Sequence, residues 1–289
     1  MKALEKKCGY VNDQTILGAP YDFRYGLAAS GHPSRVASQF LQDLKQLVEK
    51  TSSENEGKPV ILLSHSLGGL FVLHFLNRTT PSWRRKYIKH FVALAAPWGG
   101  TISQMKTFAS GNTLGVPLVN PLLVRRHQRT SESNQWLLPS TKVFHDRTKP
   151  LVVTPQVNYT AYEMDRFFAD IGFSQGVVPY KTRVLPLTEE LMTPGVPVTC
   201  IYGRGVDTPE VLMYGKGGFD KQPEIKYGDG DGTVNLASLA ALKVDSLNTV
   251  EIDGVSHTSI LKDEIALKEI MKQISIINYE LANVNAVNE

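Results

Sequence analysis

Four consecutive apolar residues, Val60-Ile61-Leu62-Leu63, run directly into Ser64-His65-Ser66-Leu67-Gly68-Gly69, and the chain then turns helical. Leu67, Leu70, Phe71, His74 and Phe75 recur at helical spacing as far as Asn77. A short, uninterrupted apolar run predicts a central parallel strand buried on both faces. Strand, tight turn and helix in immediate succession predict an α/β sheet with a serine at its sharpest bend. An alcohol is a poor nucleophile at neutral pH unless a base removes its proton, and such a bend exposes the Ser66 oxygen to one. The backbone N–H of Leu67, at the positive end of the helix, is placed to stabilise an oxyanion. Small residues at 64 and 68 let the strained backbone pass close to its neighbours, with Ser64 standing where an elbow of this type usually has glycine. His65 is expected to point away from the reacting face and to be structural. An ordinary glycine-containing turn is the competing reading of the segment.

The rest of the chain supplies a sheet for that turn to sit in. With 289 residues, 42% of them hydrophobic, it can bury a full core, which excludes a disordered or fibrous protein. Apolar runs alternate with helical patterns in both halves, the order of βαβ units. A first strand is expected at Thr15 to Ala19. From Ser34 onward, Val36, Phe40, Leu41, Leu44, Leu47 and Val48 share one helix face. Further strands are expected at Phe91 to Ala95, Val196 to Tyr202 and Thr249 to Ile252, with helices at Tyr159 to Ile171 and Leu261 to Ile277. Between Trp98 and about Pro150 periodicity fails, and a stretch so long predicts a cap or lid over the site. The organisation expected is therefore a first core part at 1–97, an inserted lid at 98–158, and a second core part at 159–289.

A serine nucleophile of this architecture takes its acid and then its base from later strand ends. Tyr227-Gly228-Asp229-Gly230-Asp231-Gly232-Thr233-Val234 offers two carboxylates. Asp231 is preferred to Asp229 because an apolar, ordered segment resumes beside it. Calcium binding by the pair competes, although no further ligand follows at loop spacing. Beyond this loop lies one histidine, His257, in Asp253-Gly254-Val255-Ser256-His257, just past an expected strand. In this reading His257 deprotonates Ser66 and protonates the leaving group, while Asp231 holds the imidazole tautomer.

Composition narrows the partners. A net charge of +3 from 31 basic and 28 acidic residues is near balance, so nucleic-acid binding has little support. The basic runs Arg84-Arg85-Lys86 and Arg125-Arg126 read as solvated surface, with contact to anionic lipid headgroups as the alternative. Cys8 and Cys200 form no metal-ligand or disulfide pattern, and Cys200 reads as a buried strand residue. No metal and no cofactor is expected. No stretch approaches the roughly 20 apolar residues of a spanning helix, and residues 1–10 have no apolar core of signal-peptide type. Two glycosylation sequons, at Asn77 and Asn158, are weak evidence for secretion.

The elbow, the acid loop and His257, together with Ala96-Pro97-Trp98-Gly99-Gly100, Ala19-Pro20-Tyr21-Asp22-Phe23-Arg24 and Tyr159 to Phe168, resemble the lecithin:cholesterol acyltransferase family. The likeness extends from about residue 1 to residue 275 and is greatest to the plant acyltransferase-like members. It implies an α/β-hydrolase fold and a covalent acyl-enzyme formed from a glycerophospholipid at a transient membrane or lipid-particle surface. The acyl group then passes to water, a sterol or a diacylglycerol. It also implies that Pro97 to Pro121 is a mobile lid, with Trp98, Ile102, Met105 and Phe108 among the lid and substrate-binding residues. An endomembrane, vacuolar or lysosomal, or secreted location is implied as well. Two departures stand out. The mammalian members carry disulfides near the lid and the acid loop, whereas no cysteine follows Cys200 here. The family's N-terminal segment, with the strand and loop that donate a second oxyanion N–H, has no counterpart before Tyr21. The expectation is therefore a truncated chain whose sheet lacks N-terminal strands and whose activity the resemblance leaves open, a catalytically impaired remnant being one alternative. Another lipid-directed serine esterase, or a non-catalytic lipid-binding remnant, are the alternatives.

Overall fold

A computed structural model describes residues 2–29, 31–32, 34–189 and 192–287, with side chains described as far as residue 279. Helix α1 (Lys2–Cys8) packs against the C-terminal helix, and α2 (Arg35–Glu54) follows, its first turn capped by the Ser34 hydroxyl, which accepts the Ala37 N–H. Ala37, Leu44 and Val48 form the buried stripe of α2, and Val36 is exposed. The core units then run β1 (Val60–His65), α3 (Leu67–Asn77), α4 (Pro81–Tyr87), β2 (Ile88–Leu94). Next come α5 (Ile102–Ser110), α6 (Pro121–Thr130), α7 (Glu132–Trp136), β3 (Val152–Val153), β4 (Asn158–Tyr159) and α8 (Met164–Asp170). After short helical turns between residues 174 and 188, β5 (Val198–Arg204), β6 (Thr208–Met213), β7 (Glu224–Gly228), β8 (Leu247–Asp253) and α9 (Glu264–Val287) complete the chain.

Two four-stranded sheets result. The first has the order β1-β2-β5-β8 and is parallel throughout. The second has the order β4-β3-β6-β7 and is mixed. A parallel ladder needs crossover connections, and the helices that cross between strands cover the sheet. The deepest strands are β2 and β5, whose residues from Phe91 to Leu94 and from Val198 to Tyr202 are all buried. Cys200 lies among them, and burial pushes its thiol up to about 12, so it is an inert packing residue. With the parallel sheet and the strand–elbow–helix unit, the architecture is that of the α/β-hydrolase fold.

Two expectations are corrected. Val60 to Leu63 is not a central strand: β1 lies at the margin of its sheet, and Leu63 is 40% exposed. An apolar run reports burial-prone side chains but not the number of strand neighbours, so periodicity alone placed it one position too deep. Nor does Thr15 to Ala19 form a strand. The N–H groups of Gln14, Thr15 and Ile16 all converge on the carbonyl of Val11, which closes a turn and leaves those donors unavailable to a ladder. Among the described residues no strand of either sheet precedes β1.

The irregular stretch after Trp98 is built largely of helix. Ile102, Met105 and Phe108 turn inward along α5, and Trp98 is buried beneath it, each no more than 5% exposed. The following loop does the reverse: Leu114, Val116 and Leu118 all face solvent.

Candidate active site

The bend after β1 has the strained geometry that the sequence implies. Ser66 has φ 53° and ψ −128°, a conformation that costs a non-glycine residue energy and persists only where its surroundings enforce it. Enforcement comes from both sides. The Ser66 N–H donates to the Leu94 carbonyl of β2 at 2.9 Å, and the Gly69 N–H donates to the Ser66 carbonyl at 2.9 Å. Gly69 is required there, since a Cβ on it would lie 2.5 Å from the Cβ of Ala96. Leu67 begins α3, so its N–H has no acceptor within the helix and points out beside Ser66.

The base arrives from the other end of the sheet. β8 ends at Asp253, and the loop that follows crosses the end of β5, where a Cβ on Gly203 would overlap the Val255 carbonyl oxygen. The missing side chain is what lets the loop lie flat against β5, tied by a Gly254 N–H to Arg204 carbonyl bond of 2.8 Å. His257 is thereby delivered with Nε2 2.8 Å from Ser66 Oγ.

Its other ring nitrogen, Nδ1, lies 2.7 Å from Asp231 Oδ2. Asp231 is wholly buried, and its second oxygen accepts the N–H groups of Thr233 at 3.0 Å and Val234 at 2.7 Å. Three donors thus compensate a carboxylate that has lost its water. Because a carboxylate only accepts, Nδ1 carries the proton, and Nε2 is left to accept the Ser66 hydroxyl proton. The structure separates the two candidate acids: Asp229 is exposed, its Oδ1 accepting the Gly205 N–H at 2.6 Å, while Asp231 alone reaches His257. The calcium reading of the pair meets the same obstacle, and among the described residues no three acidic, histidine or cysteine side chains gather as a metal site.

Sequence reasoning missed two relationships. The first is an anchor between the segment opening α5 and the acid loop. Gly99 N–H donates to Ser238 Oγ at 2.9 Å, Ile102 N–H donates to Asn235 Oδ1 at 3.2 Å, and the Thr101 hydroxyl donates to the Thr233 carbonyl. The turn glycines 99 and 100 and the polar run 233–238 were visible in the sequence, but nothing there pairs them. The second corrects the expectation for His65. Its side chain does not turn away: Nε2 lies 2.8 Å from the His257 carbonyl oxygen, and the two imidazole rings sit 4.9 Å apart. Alternation along a strand predicts opposite faces for 65 and 66, but β1 ends there and the positive φ at Ser66 breaks the alternation.

Trp98, Ile102, Met105 and Phe108 occupy the packed interior between the α5 segment and the rest of the core.

The family model described as lecithin:cholesterol acyltransferase matches residues 1–188. The chain is 42% identical over 272 residues to lecithin-cholesterol acyltransferase-like 1 of Oryza sativa subsp. japonica, covering 92% of this chain and 62% of that one. It is 39% identical over 230 residues to the lysosomal phospholipase A and acyltransferase of Homo sapiens, covering 80% and 53%. To the phosphatidylcholine-sterol acyltransferase of Gallus gallus it is 32% identical over 266 residues, covering 90% and 62%. The chain thus spans between 53% and 62% of the length of these relatives. Among solved structures, one described as the crystal structure of the Tle4-Tli4 complex matches with a TM-score of 0.56 at 14% identity, over 83% of this chain and 66% of that one, a likeness of fold.

Proposed function

Because the chain belongs to the lecithin:cholesterol acyltransferase family, we propose that it is a serine-dependent lipid acyltransferase and phospholipase, with Ser66 as nucleophile, His257 as base and Asp231 as acid. The observation that carries this reading is the unbroken chain of hydrogen bonds from Ser66 Oγ to His257 Nε2 and from His257 Nδ1 to Asp231 Oδ2. It joins three residues separated by up to 191 positions, which packing alone does not require of them.

In the first half-reaction His257 takes the Ser66 proton as Oγ attacks an ester carbonyl of a glycerophospholipid. The tetrahedral oxyanion forms beside the Leu67 N–H, at the positive end of α3. Asp231, buried and accepting from Nδ1, stabilises the imidazolium. Collapse breaks the ester bond, and the proton held on Nε2 goes to the lysophospholipid hydroxyl, leaving the acyl group on Ser66. In the second half-reaction His257 deprotonates the hydroxyl of water, a sterol or a diacylglycerol as its oxygen attacks the acyl carbonyl; collapse breaks the bond to Ser66 Oγ, which takes the proton back from Nε2, and the acyl group leaves on the acceptor.

The same reading divides the chain into 1–97 bearing the nucleophile, 98–158 covering the site with Trp98, Ile102, Met105 and Phe108, and 159–289 bearing acid and base. A lipid surface is the proposed partner. What supports it is the loop of Leu114, Val116 and Leu118, exposed and apolar, followed in the sequence by the exposed cation of Arg126. No helix of the described residues is long and apolar enough to cross a membrane. An endomembrane, vacuolar or lysosomal, or secreted location belongs to this proposal.

The test is a fluorophosphonate probe followed by product analysis. Stoichiometric labelling that disappears in Ser66→Ala, with lysophospholipid released from phosphatidylcholine vesicles, is the expected result. Adding sterol or diacylglycerol to the vesicles then identifies the acceptor from the ester produced. A folded chain that takes up no probe overturns the proposal in favour of a lipid-binding remnant.

A further inference from the structure

Among the described residues the loop that presents His257 has no ladder partner between Asp253, where β8 stops, and Ser259; bonds between Ser256 and Ser259 close its own turn, and single main-chain hydrogen bonds tie it to its neighbours. Gly254 N–H ties it to β5 through Arg204, and His257 N–H ties it to the acid loop through the Asp231 carbonyl. The hydrogen bond that joins the main chain of this loop to β1, the strand leading to Ser66, comes from His65, whose Nε2 lies 2.8 Å from the His257 carbonyl oxygen. A carbonyl oxygen only accepts, so His65 Nε2 carries a hydrogen and donates it.

We propose that His65 is a positioning residue: its Nε2–H, donated to the main-chain carbonyl of His257, sets the imidazole of His257 in register with Ser66 Oγ. The inference rests on the catalytic reading of Ser66 and His257 given above. Its physical basis is leverage. His65 is the last residue of β1 and Ser66 follows it directly, so a bond from His65 to the backbone of His257 transfers the position of that strand end to the base loop. Displacement of about 1 Å between reacting groups costs on the order of 10²-fold in rate. The groups facing His65 are His257 and Asp231, and burial holds His65 below the ordinary imidazole range. At neutral pH it is therefore an uncharged donor, and it adds no second positive charge beside the imidazolium that His257 becomes.

The distinction to be tested is donor against ring packing. His65→Gln places an amide N–H close to where Nε2 stands, whereas His65→Phe keeps a ring and removes the donor. Two readouts are taken on the full chain with ring-labelled histidine: the low-field NMR proton of His257 Nδ1 bonded to Asp231, and the rate of fluorophosphonate labelling at Ser66. The expected result is that His65→Gln keeps the low-field proton and labels within about fivefold of the parent, while His65→Phe broadens that proton and labels about 10- to 100-fold more slowly. Melting temperatures establish that both variants are folded, and His65→Met replaces the phenylalanine variant if it is not. A His65→Phe protein with an intact low-field proton and parental labelling overturns the proposal. So does a His65→Gln protein as impaired as His65→Phe. If the parent itself takes up no probe, the catalytic reading fails, and the NMR comparison still decides whether His65 orders the base.

Discussion

The main-chain N–H of His257 donates to the main-chain carbonyl of Asp231 at 2.7 Å, and the side chains of the same two residues meet at 2.7 Å. The two residues are thus joined twice, once through a bond that any residue at 231 would make and once through a bond that only a carboxylate makes well. Asp231→Asn separates the two. The backbone link and the side-chain volume survive, but the amide offers an N–H to Nδ1 and favours the wrong tautomer. Fluorophosphonate labelling should fall by about 10⁴-fold with little change in the melting temperature. Labelling within tenfold of the parent would sink the assignment of Asp231.

Asp229 supplies the control. Its carboxylate is exposed and braces the Gly205 N–H. Asp229→Ala should cost about 1 kcal/mol of stability and leave the labelling rate within about fivefold. If it proved as damaging to labelling as Asp231→Asn, the choice between the two acids would have to be reversed.

Gly203 sets the height of the base loop over β5, since any side chain there meets the Val255 carbonyl. Gly203→Ala should lower stability by about 1–3 kcal/mol in urea titration, and slow labelling because the loop must lift. Gly215 has open space around it, and Gly215→Ala should change neither quantity. Equal behaviour of the two variants would contradict the packing described here.

Acid should weaken the fold through His74. Its ring is buried against Trp136, and desolvation lowers its pKa from 6.5 to about 4, with Arg78 adding to the effect. The folded state therefore refuses a proton that the unfolded chain accepts. Stability is full above about pH 6.5 and falls progressively as the pH drops toward 4. Between pH 7 and pH 5 the loss assignable to His74 is about 2 kcal/mol. Urea midpoints at the two pH values should reveal it, and His74→Leu should shrink the difference by about that amount, leaving the share of His90, which burial depresses likewise; an unchanged difference in that variant would assign the effect elsewhere.

The apolar loop beyond α5 gives a prediction about surfaces. Leu114 and Leu118 face solvent, and none of the described residues covers them. The double substitution Leu114→Asp, Leu118→Asp should reduce sedimentation with anionic phospholipid vesicles by about tenfold or more and leave the melting temperature unchanged. Cosedimentation equal to the parent would remove the loop from the proposed lipid contact.

The site was more legible in the sequence than the sheet around it. Ser66 stood out because strand, small residues and helix must follow each other without a gap to make an elbow. Asp231 stood out because an apolar, ordered segment resumes beside it, and His257 because it sits just past an expected strand, in the order the fold demands. Geometry then explained what the pattern left open, since Asp229 and Asp231 differ by two positions in a glycine-rich loop and only a folded loop decides which oxygen turns inward. The depth of β1 was not legible: Val60 to Leu63 has the composition of an interior strand, and neighbours in a sheet come from distant parts of the chain. Thr15 to Ala19 failed for the opposite reason, a local turn around the Val11 carbonyl outcompeting strand propensity. His65 was misjudged because alternation is a property of continuous strands, and the bend at Ser66 ends the strand.

The exposed Leu63 has a consequence for handling the protein. The strand that bears the nucleophile is also the margin of its sheet, with an apolar side chain outward and no ladder partner on its far side among the described residues. Such a margin is where two molecules first adhere when a solution is concentrated. In this chain the exposed strand edge leads directly into Ser66, and a charged residue at position 63 is the first place to reduce self-association.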